Sequence, residues 1–157
     1  MRRESHASRC ASTRTLVTGF RPFGSFAANP SSQLPAECGR PFVILEVSYP
    51  AVDRFLSQFP AESLDRLVML GMAGLSQRMQ FEMVARNWGE STPDVRGAIL
   101  EPGPINSNDP MQFTLTTNIV MPSRKHWEIN SDAGGYLCNY SFFRTKQRFP
   151  TRRCGHS

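Results

Sequence analysis

The chain has 157 residues, of which 39% are hydrophobic and 20% are charged, and its formal net charge is +5. This length supports one hydrophobic core rather than two, so we expect one globular domain. No apolar run approaches the roughly 18–20 residues that a membrane-spanning helix needs. The N-terminal stretch is polar and rich in arginine, which is not the pattern of a secretory signal. We therefore expect a cytoplasmic protein without a membrane partner.

The positive charge is concentrated at the two ends of the chain. The first fourteen residues carry four arginines against one glutamate, and residues 144–153 carry five cations and no acid. We expect residues 1–14 to form a basic, disordered extension and residues 15–157 to form a single α/β domain. A nucleic-acid surface would interleave cations with aromatic rings on one face, and Phe149 alone is weak support for one. We therefore expect no nucleic-acid partner.

Cysteine and histidine do not form a recognisable metal or disulfide pattern. The four cysteines contain no CxxC pair, and the histidines are too scattered for a metal motif, so we expect neither zinc, nor a disulfide framework, nor another cofactor. Their positions are Cys10, Cys38, Cys138, Cys154, His6, His126 and His156.

Strand and helix patterns alternate in the first half of the chain. Three apolar runs, Thr15–Phe20, Phe42–Ser48 and Leu64–Gly71, predict strands buried on both faces. A helical face at 52–59 lies between the second and third runs and ends before Pro60. This order predicts an open, mostly parallel sheet, with the ligand site at the carboxyl ends of its strands.

The loop after the first strand is rich in aromatic residues. Phe20, Phe23 and Phe26 lie close together there, and they either anchor the loop to the core or line an apolar pocket. Asn29 is expected to cap a short helix that runs through Pro35.

The second half of the chain predicts fewer elements. Gln80–Asn87 alternates as a strand and places Glu82 among apolar neighbours, where a carboxylate needs a partner. The remaining predicted elements are a long loop over 88–110, a helix beginning over Thr116–Val120, a strand over Lys125–Asn130 and a helix over Tyr136–Arg148.

Cys138 follows a glycine turn and lies in the first turns of the last predicted helix. A helix N-terminus lowers the pKa of a thiol and its free N–H groups can hold an oxyanion, so Cys138 is a candidate nucleophile. Spacing alone favours the alternative, a small buried core cysteine. A nucleophilic cysteine also needs a base and an orienting group, for which His156 and Glu82 are candidates. The ordinary alternative pairs Glu82 with an arginine and leaves His156 at a frayed terminus.

Three segments resemble the pyroglutamyl peptidase I (pyrrolidone-carboxylate peptidase) family. They occur in the family's order and span most of the chain: Leu16–Gly24 (LVTGFRPFG, followed by Asn-Pro-Ser), Phe81–Asn87 (FEMVARN) and Ser131–Asn139 (SDAGGYLCN). The resemblance implies an open α/β/α sandwich. It also implies a cysteine exopeptidase that removes N-terminal pyroglutamate (5-oxoproline) from peptides.

The resemblance implies a role for each candidate site residue. Cys138 falls on the family's nucleophile and Glu82 on the acidic member of its triad. Phe20 and Phe23 fall on the rings that hold the lactam. His156 either takes the place of the catalytic histidine, which is the favoured interpretation, or belongs to a divergent tail.

The chain also departs from the family pattern. Ser91 stands where the family has an arginine that helps to stabilise the oxyanion, and loss of such a donor costs ~10²–10³ in rate. Met83 replaces an arginine after the glutamate. The family's C-terminal helix has no counterpart after His156, so we expect it to be missing, with an uncovered sheet face that favours self-association. The resemblance thus implies reduced or lost peptidase activity, with an inactive pyroglutamyl-binding protein as the alternative.

Overall fold

The computed structural model describes residues 14–59, 61–73, 76, 78–115 and 126–149. The elements in chain order are β1 (Thr15–Phe20), α1 (Pro30–Glu37), β2 (Phe42–Leu45), α2 (Tyr49–Gln58), a 3₁₀ turn (Ala61–Ser63), β3 (Arg66–Met69), β4 (Met79–Glu82), β5 (Val84–Arg86), β6 (Gln112–Thr114), β7 (Trp127–Asn130) and α3 (Leu137–Arg148).

The described strands form a mostly parallel α/β arrangement, as predicted. The order β2-β1-β3 makes a parallel three-stranded sheet, and β4 pairs in parallel with β7. Only β5 and β6 pair antiparallel within the part of the chain that the structure describes. β1 is central and is buried along nearly its whole length, which explains its continuous apolar run.

Helix α1 packs closely on β1 because of Gly19. A Cβ at Gly19 would lie only 1.6 Å from the backbone oxygen of Ser31 in α1, so any side chain there would push the helix away. Asn29 caps α1, as predicted, and accepts a hydrogen bond from the N–H of Ser31 at 3.0 Å. The Phe20 N–H donates to the Ser31 hydroxyl at 3.0 Å, which ties the end of β1 to the helix.

Helices α2 and α3 pack against each other through aromatic rings and an ion pair. The ring of Tyr49 meets those of Tyr136 and Tyr140 edge to face. Asp53 accepts hydrogen bonds from the Tyr140 hydroxyl at 2.8 Å and from Arg144 at 3.0 Å. Lys146 on α3 is only 8% exposed. Two cations of the basic C-terminal segment therefore take part in helix packing and are not part of a free basic surface.

Several predictions from the sequence need correction. The single strand predicted over 80–87 is two strands, because β4 pairs with β7 whereas β5 pairs with β6, a strand that the sequence pattern did not predict. The strands β2 and β3 are not fully buried either. Phe42 is 46% exposed and Val68 is 36% exposed, because both strands are edges of the three-stranded sheet in the described chain.

Some predictions fall outside the described residues. These are the disordered N-terminal extension up to residue 13, the helix that begins over 116–120, the catalytic role of His156 and the expected absence of the family's C-terminal helix. Among the residues that are described, no helix has both the length and the apolar character required to cross a membrane.

Candidate active site around Cys138

Cys138 is the second residue of α3, so its side chain lies at the helix N-terminus. The preceding turn is shaped by Gly134, whose φ of +76° is a conformation that residues with a side chain rarely adopt. The Gly134 N–H donates to the Asp132 carboxylate at 3.0 Å, and the Asp132 N–H donates to Asn130 Oδ1 at 3.3 Å. These bonds connect the end of β7 directly to the start of α3.

The thiol lies against Gly71, just beyond the end of β3. A Cβ built on Gly71 would lie 2.9 Å from Cys138 Sγ, so the absence of a side chain at residue 71 leaves room for the sulfur. Cys138 therefore lies at the carboxyl end of a parallel strand, where the sequence predicts the ligand site.

The pKa of the Cys138 thiol is raised, opposite to the direction expected for a helix N-terminus. Burial is the main cause, and the negative charge of Glu82 adds to it. A buried thiolate loses hydration, and this loss outweighs the favourable helix terminus. A neighbouring base or proton acceptor is therefore needed to generate the thiolate near neutral pH.

Glu82 is the last residue of β4, and its negative charge contributes to the raised pKa of the Cys138 thiol. Asn130, its partner in the parallel register, donates from Nδ2 to Glu82 Oε1 at 3.0 Å. The other oxygen, Oε2, is buried and has no hydrogen-bond partner among the described residues. Burial is the main cause of the raised pKa of Glu82; the Asn130 hydrogen bond opposes it and the Asp132 charge adds to it.

The alternative in which Glu82 pairs with an arginine is not seen in the described chain. The arginines four residues before and after Glu82 pair with other carboxylates: Arg78 with Glu128 at 3.9 Å and Arg86 with Asp132 at 3.2 Å. Glu82 Oε2 is consequently a buried acceptor that is available to orient a proton-bearing group.

Asn139 is a positioning residue that the sequence patterns did not single out. Its fully buried amide donates to the carbonyls of Arg86 and Trp88, each at 2.9 Å, and accepts from the Arg86 N–H at 2.8 Å. These bonds fix the start of α3 against the end of β5. A polar residue beside the candidate nucleophile, on a helix face that packs inward, was the signal available in the sequence.

Phe20 and Phe23 occupy different environments. Phe20 is 5% exposed and belongs to the hydrophobic core, whereas Phe23 is only partly buried against that core. The rings of Phe23 and Phe26 lie 5.9 Å apart between their centres. Thr18 pairs with Met69, so Phe20 is level with Gly71 in the register of the two strands. The aromatic loop therefore begins at the same carboxyl end of the sheet as the thiol.

Ser91, which the resemblance aligns with the family's arginine, is exposed, and His156 lies outside the described residues. Asp94, close to Ser91, is buried and accepts the N–H of Tyr49 at 3.0 Å at the start of α2. Cys38 and Cys138 are free thiols, and the described residues contain no group of histidine, cysteine and acidic side chains suited to a metal ion.

Known proteins of similar sequence and structure share one description. The chain is 32% identical over 145 residues to the pyrrolidone-carboxylate peptidase of Thermococcus onnurineus, which covers 83% of this chain and 72% of that protein. It is 30% identical to the protein of the same name from Thermococcus kodakarensis, over 83% of this chain and 70% of the relative. No family model matches the chain.

Solved structures agree with the sequence relatives. The pyrrolidone carboxyl peptidase of Thermus thermophilus superimposes with a TM-score of 0.73 at 29% identity, over 87% of this chain and 78% of that one. The enzyme of Thermococcus litoralis gives a TM-score of 0.72 at 26% identity, over 86% and 69%. The fold and the sequence therefore point to the same group of proteins.

Proposed function

The chain belongs to the pyrrolidone-carboxylate peptidase family, and from this membership we propose that it is a cysteine exopeptidase that removes N-terminal pyroglutamate from peptides. The observation that carries the proposal is the placement of the Cys138 thiol. It lies at the start of α3, at the carboxyl end of β3, and within reach of the charge of Glu82. Acyl transfer through a thiol requires a nucleophile, a base and hydrogen-bond donors for the oxyanion; Cys138 is suited to be the nucleophile, the N-terminus of α3 can provide donors, and Glu82 can orient the base.

In the proposed reaction, Cys138 Sγ attacks the carbonyl carbon outside the lactam ring. The thiol proton passes to a base, and the carbonyl oxygen gains negative charge close to the N–H groups that begin α3. The carbon–nitrogen bond then breaks, and the base returns the proton to the departing amine of the shortened peptide. Water hydrolyses the thioester, releasing pyroglutamate and the free thiol.

Glu82 is proposed to orient the group that carries this proton. Its Oε2 atom is the buried oxygen without a partner in the described chain, so it can accept a hydrogen bond from an imidazole N–H. His156 is the residue that we propose for the imidazole.

Phe20 and Phe23 are proposed as apolar walls for the lactam. Pyroglutamate lacks a charged amine, so its pocket requires apolar surface and a few backbone hydrogen bonds rather than a counter-ion. The partial burial of Phe23 leaves part of its ring available for such a contact, whereas Phe20 supports the loop from within the core.

The alternative function is binding of pyroglutamyl N-termini without turnover. One observation and one feature of the resemblance favour it. The pKa of the Cys138 thiol is raised, and the resemblance places Ser91 where the family has an arginine. The alternative and the main proposal share the same pocket and differ only in turnover.

Hydrolysis of a chromogenic pyroglutamyl amide tests the proposal. The wild-type protein should release the amine, and Cys138→Ser should abolish release, whereas Cys38→Ser, which alters an exposed free thiol, should leave it unchanged. Absence of turnover in the wild type, with retained binding of the amide, would favour the alternative. Turnover that survives Cys138→Ser would refute the assigned nucleophile.

The cytoplasm is the proposed location, because a thiol nucleophile must stay reduced to act. The proposed partners are peptides that begin with pyroglutamate.

A further inference from the structure

Trp88 lies in the segment that follows β5 and borders the turn before Cys138. Residues 85 to 90 alternate in burial, with Ala85, Asn87 and Gly89 buried and the intervening residues exposed. In an extended segment, alternate side chains share one side. The exposed side therefore carries Arg86, Trp88 and Glu90.

Both neighbours of Trp88 on that side contact the turn that leads into the thiol. Arg86 forms its ion pair with Asp132 at 3.2 Å. The Glu90 N–H donates to the Gly135 carbonyl at 3.0 Å, and the Glu90 side chain lies so close to Gly135 that a Cβ there would be 2.3 Å from its Cγ. Trp88 is therefore placed alongside the turn between these two contacts.

The backbone of Trp88 is also fixed relative to the nucleophile. Asn139, the residue after Cys138, donates from Nδ2 to the Trp88 carbonyl at 2.9 Å. The Cα atoms of Cys138 and Trp88 are therefore no more than about 13 Å apart, which is the length of about four extended residues. This upper limit is the combined length of the Cα–Cα step to Asn139, the asparagine side chain and the hydrogen bond to the Trp88 carbonyl. This separation is one that the first few residues of a bound peptide can span.

Trp88 is 45% exposed although it is a large apolar side chain. Among the described residues, its ring makes no aromatic or cation contact of the kind that Tyr49, Phe23 or Tyr140 make. An exposed indole, on a backbone that is hydrogen-bonded to the residue after the candidate nucleophile, is suited to bind the flat or apolar side chains of a substrate.

We propose that Trp88 is a specificity-determining residue that binds the side chains following pyroglutamate, with a preference for aromatic and large apolar residues. The inference rests on the proposed peptidase function and assigns the substrate class on the leaving-group side of the same site. Trp88 takes no part in the bond-breaking steps, so its replacement changes the ranking of substrates rather than the chemistry.

Two amidated tripeptides, pyroglutamyl-Phe-Phe and pyroglutamyl-Ala-Ala, test the assignment. Wild-type kcat/KM should favour the phenylalanine peptide, and Trp88→Ala should reduce that preference by about three- to tenfold, the range expected for loss of an aromatic contact. Trp88→Phe should keep most of the preference. Phe42→Ala is the matched control, because Phe42 is 46% exposed but lies at the amino end of β2, away from the thiol.

An unchanged preference in Trp88→Ala, or equal losses for the two peptides, would overturn the inference. Equilibrium binding of the same peptides to Cys138→Ala separates this result from failure of the proposed function. If the wild type hydrolyses neither peptide but binding still favours phenylalanine in a Trp88-dependent way, the peptidase proposal fails and the inference stands. If neither peptide binds, the inference fails.

Discussion

The two parallel sheets in the described part of the chain differ in how they bury their side chains. In the three-stranded sheet, central β1 is buried from Leu16 to Phe20 and contributes to the main hydrophobic core. In the two-stranded sheet, Trp127 is buried, whereas Met79 is 65% exposed and the polar pair Glu82 and Asn130 ends the strands.

The three-stranded sheet therefore mainly stabilises the fold, whereas the two-stranded sheet carries a candidate catalytic side chain. The three-stranded sheet provides most of the apolar packing, and its contribution to the site is mainly space and shape: Gly71 beside the sulfur and the aromatic loop after β1. The two-stranded sheet carries Glu82 and leads through the Asp132 turn to Cys138, the proposed nucleophile. Substitutions in the packed part of the three-stranded sheet should act mainly on stability, whereas substitutions at positions that contact Cys138 should act mainly on the thiol.

The largest expected effect is on stability and comes from Gly19→Ala. The new Cβ would meet the Ser31 backbone oxygen at 1.6 Å, and a backbone atom inside a helix cannot move away cheaply. We expect destabilisation of at least about 3 kcal/mol, which lowers Tm by on the order of 10 °C.

Gly135→Ala is the matched comparison in the turn before α3. Its Cβ would also be too close to a neighbour, 2.3 Å from Cγ of Glu90, but that neighbour is an exposed side chain that can rotate. The Tm should fall by no more than about 4 °C. Thermal unfolding followed by circular dichroism measures both variants, and equal shifts would contradict the separation of the two regions.

The next effect is on reactivity and comes from Gly71→Ala. The added methyl group would lie 2.9 Å from Cys138 Sγ, so the sulfur must move, while the exposed position of Gly71 beyond the end of β3 limits the cost in stability. Peptidase activity should fall roughly tenfold to hundredfold, as expected for a misplaced nucleophile, with little change in Tm. Unchanged activity together with an unchanged rate of Cys138 alkylation would show that the sulfur does not rely on this space.

The smallest effect is the pH-dependent stability change of Glu82→Gln. The pKa of Glu82 is raised from its ordinary value of 4.5, so the folded protein holds this proton more tightly than the unfolded chain does. The free energy of unfolding therefore falls as pH rises from about 4.5 to the raised value, and the cost persists above it.

Glutamine keeps the acceptor for Asn130 and has no charge to bury. The Tm of Glu82→Gln should match the wild type at low pH and exceed it by roughly 1–3 °C at neutral pH, although activity is reduced. A Tm below that of the wild type at neutral pH would contradict the assignment of burial as the cause of the raised pKa.

Local patterns in the sequence were sufficient for elements whose residues contact their neighbours in the chain. β1 spans the predicted residues, α3 begins one residue after the prediction, and the Asn29 cap is present, because strand alternation, helical spacing and capping are short-range effects. The family segments added the fold, which is confirmed, and the prediction that Cys138 is the nucleophile.

Features set by distant partners could not be predicted in this way. The division of 80–87 into two strands depends on β7 and β6, and the pairing of Glu82 with Asn130 joins residues 48 positions apart. The direction of the Cys138 pKa change depends on burial by the rest of the molecule, so the helix N-terminus alone predicted the wrong sign. The role of Asn139 likewise appears only once β5 lies beside α3.

The most direct test of the account is to trap the acyl-enzyme. The protein is mixed with an activated pyroglutamyl ester, quenched in acid, digested and analysed by mass spectrometry. One pyroglutamyl group is expected on the peptide that contains Cys138, and none is expected on Cys38, an exposed free thiol that serves as the internal control. Equal labelling of the two cysteines, or no label on Cys138, would contradict the assignment of Cys138 as the nucleophile.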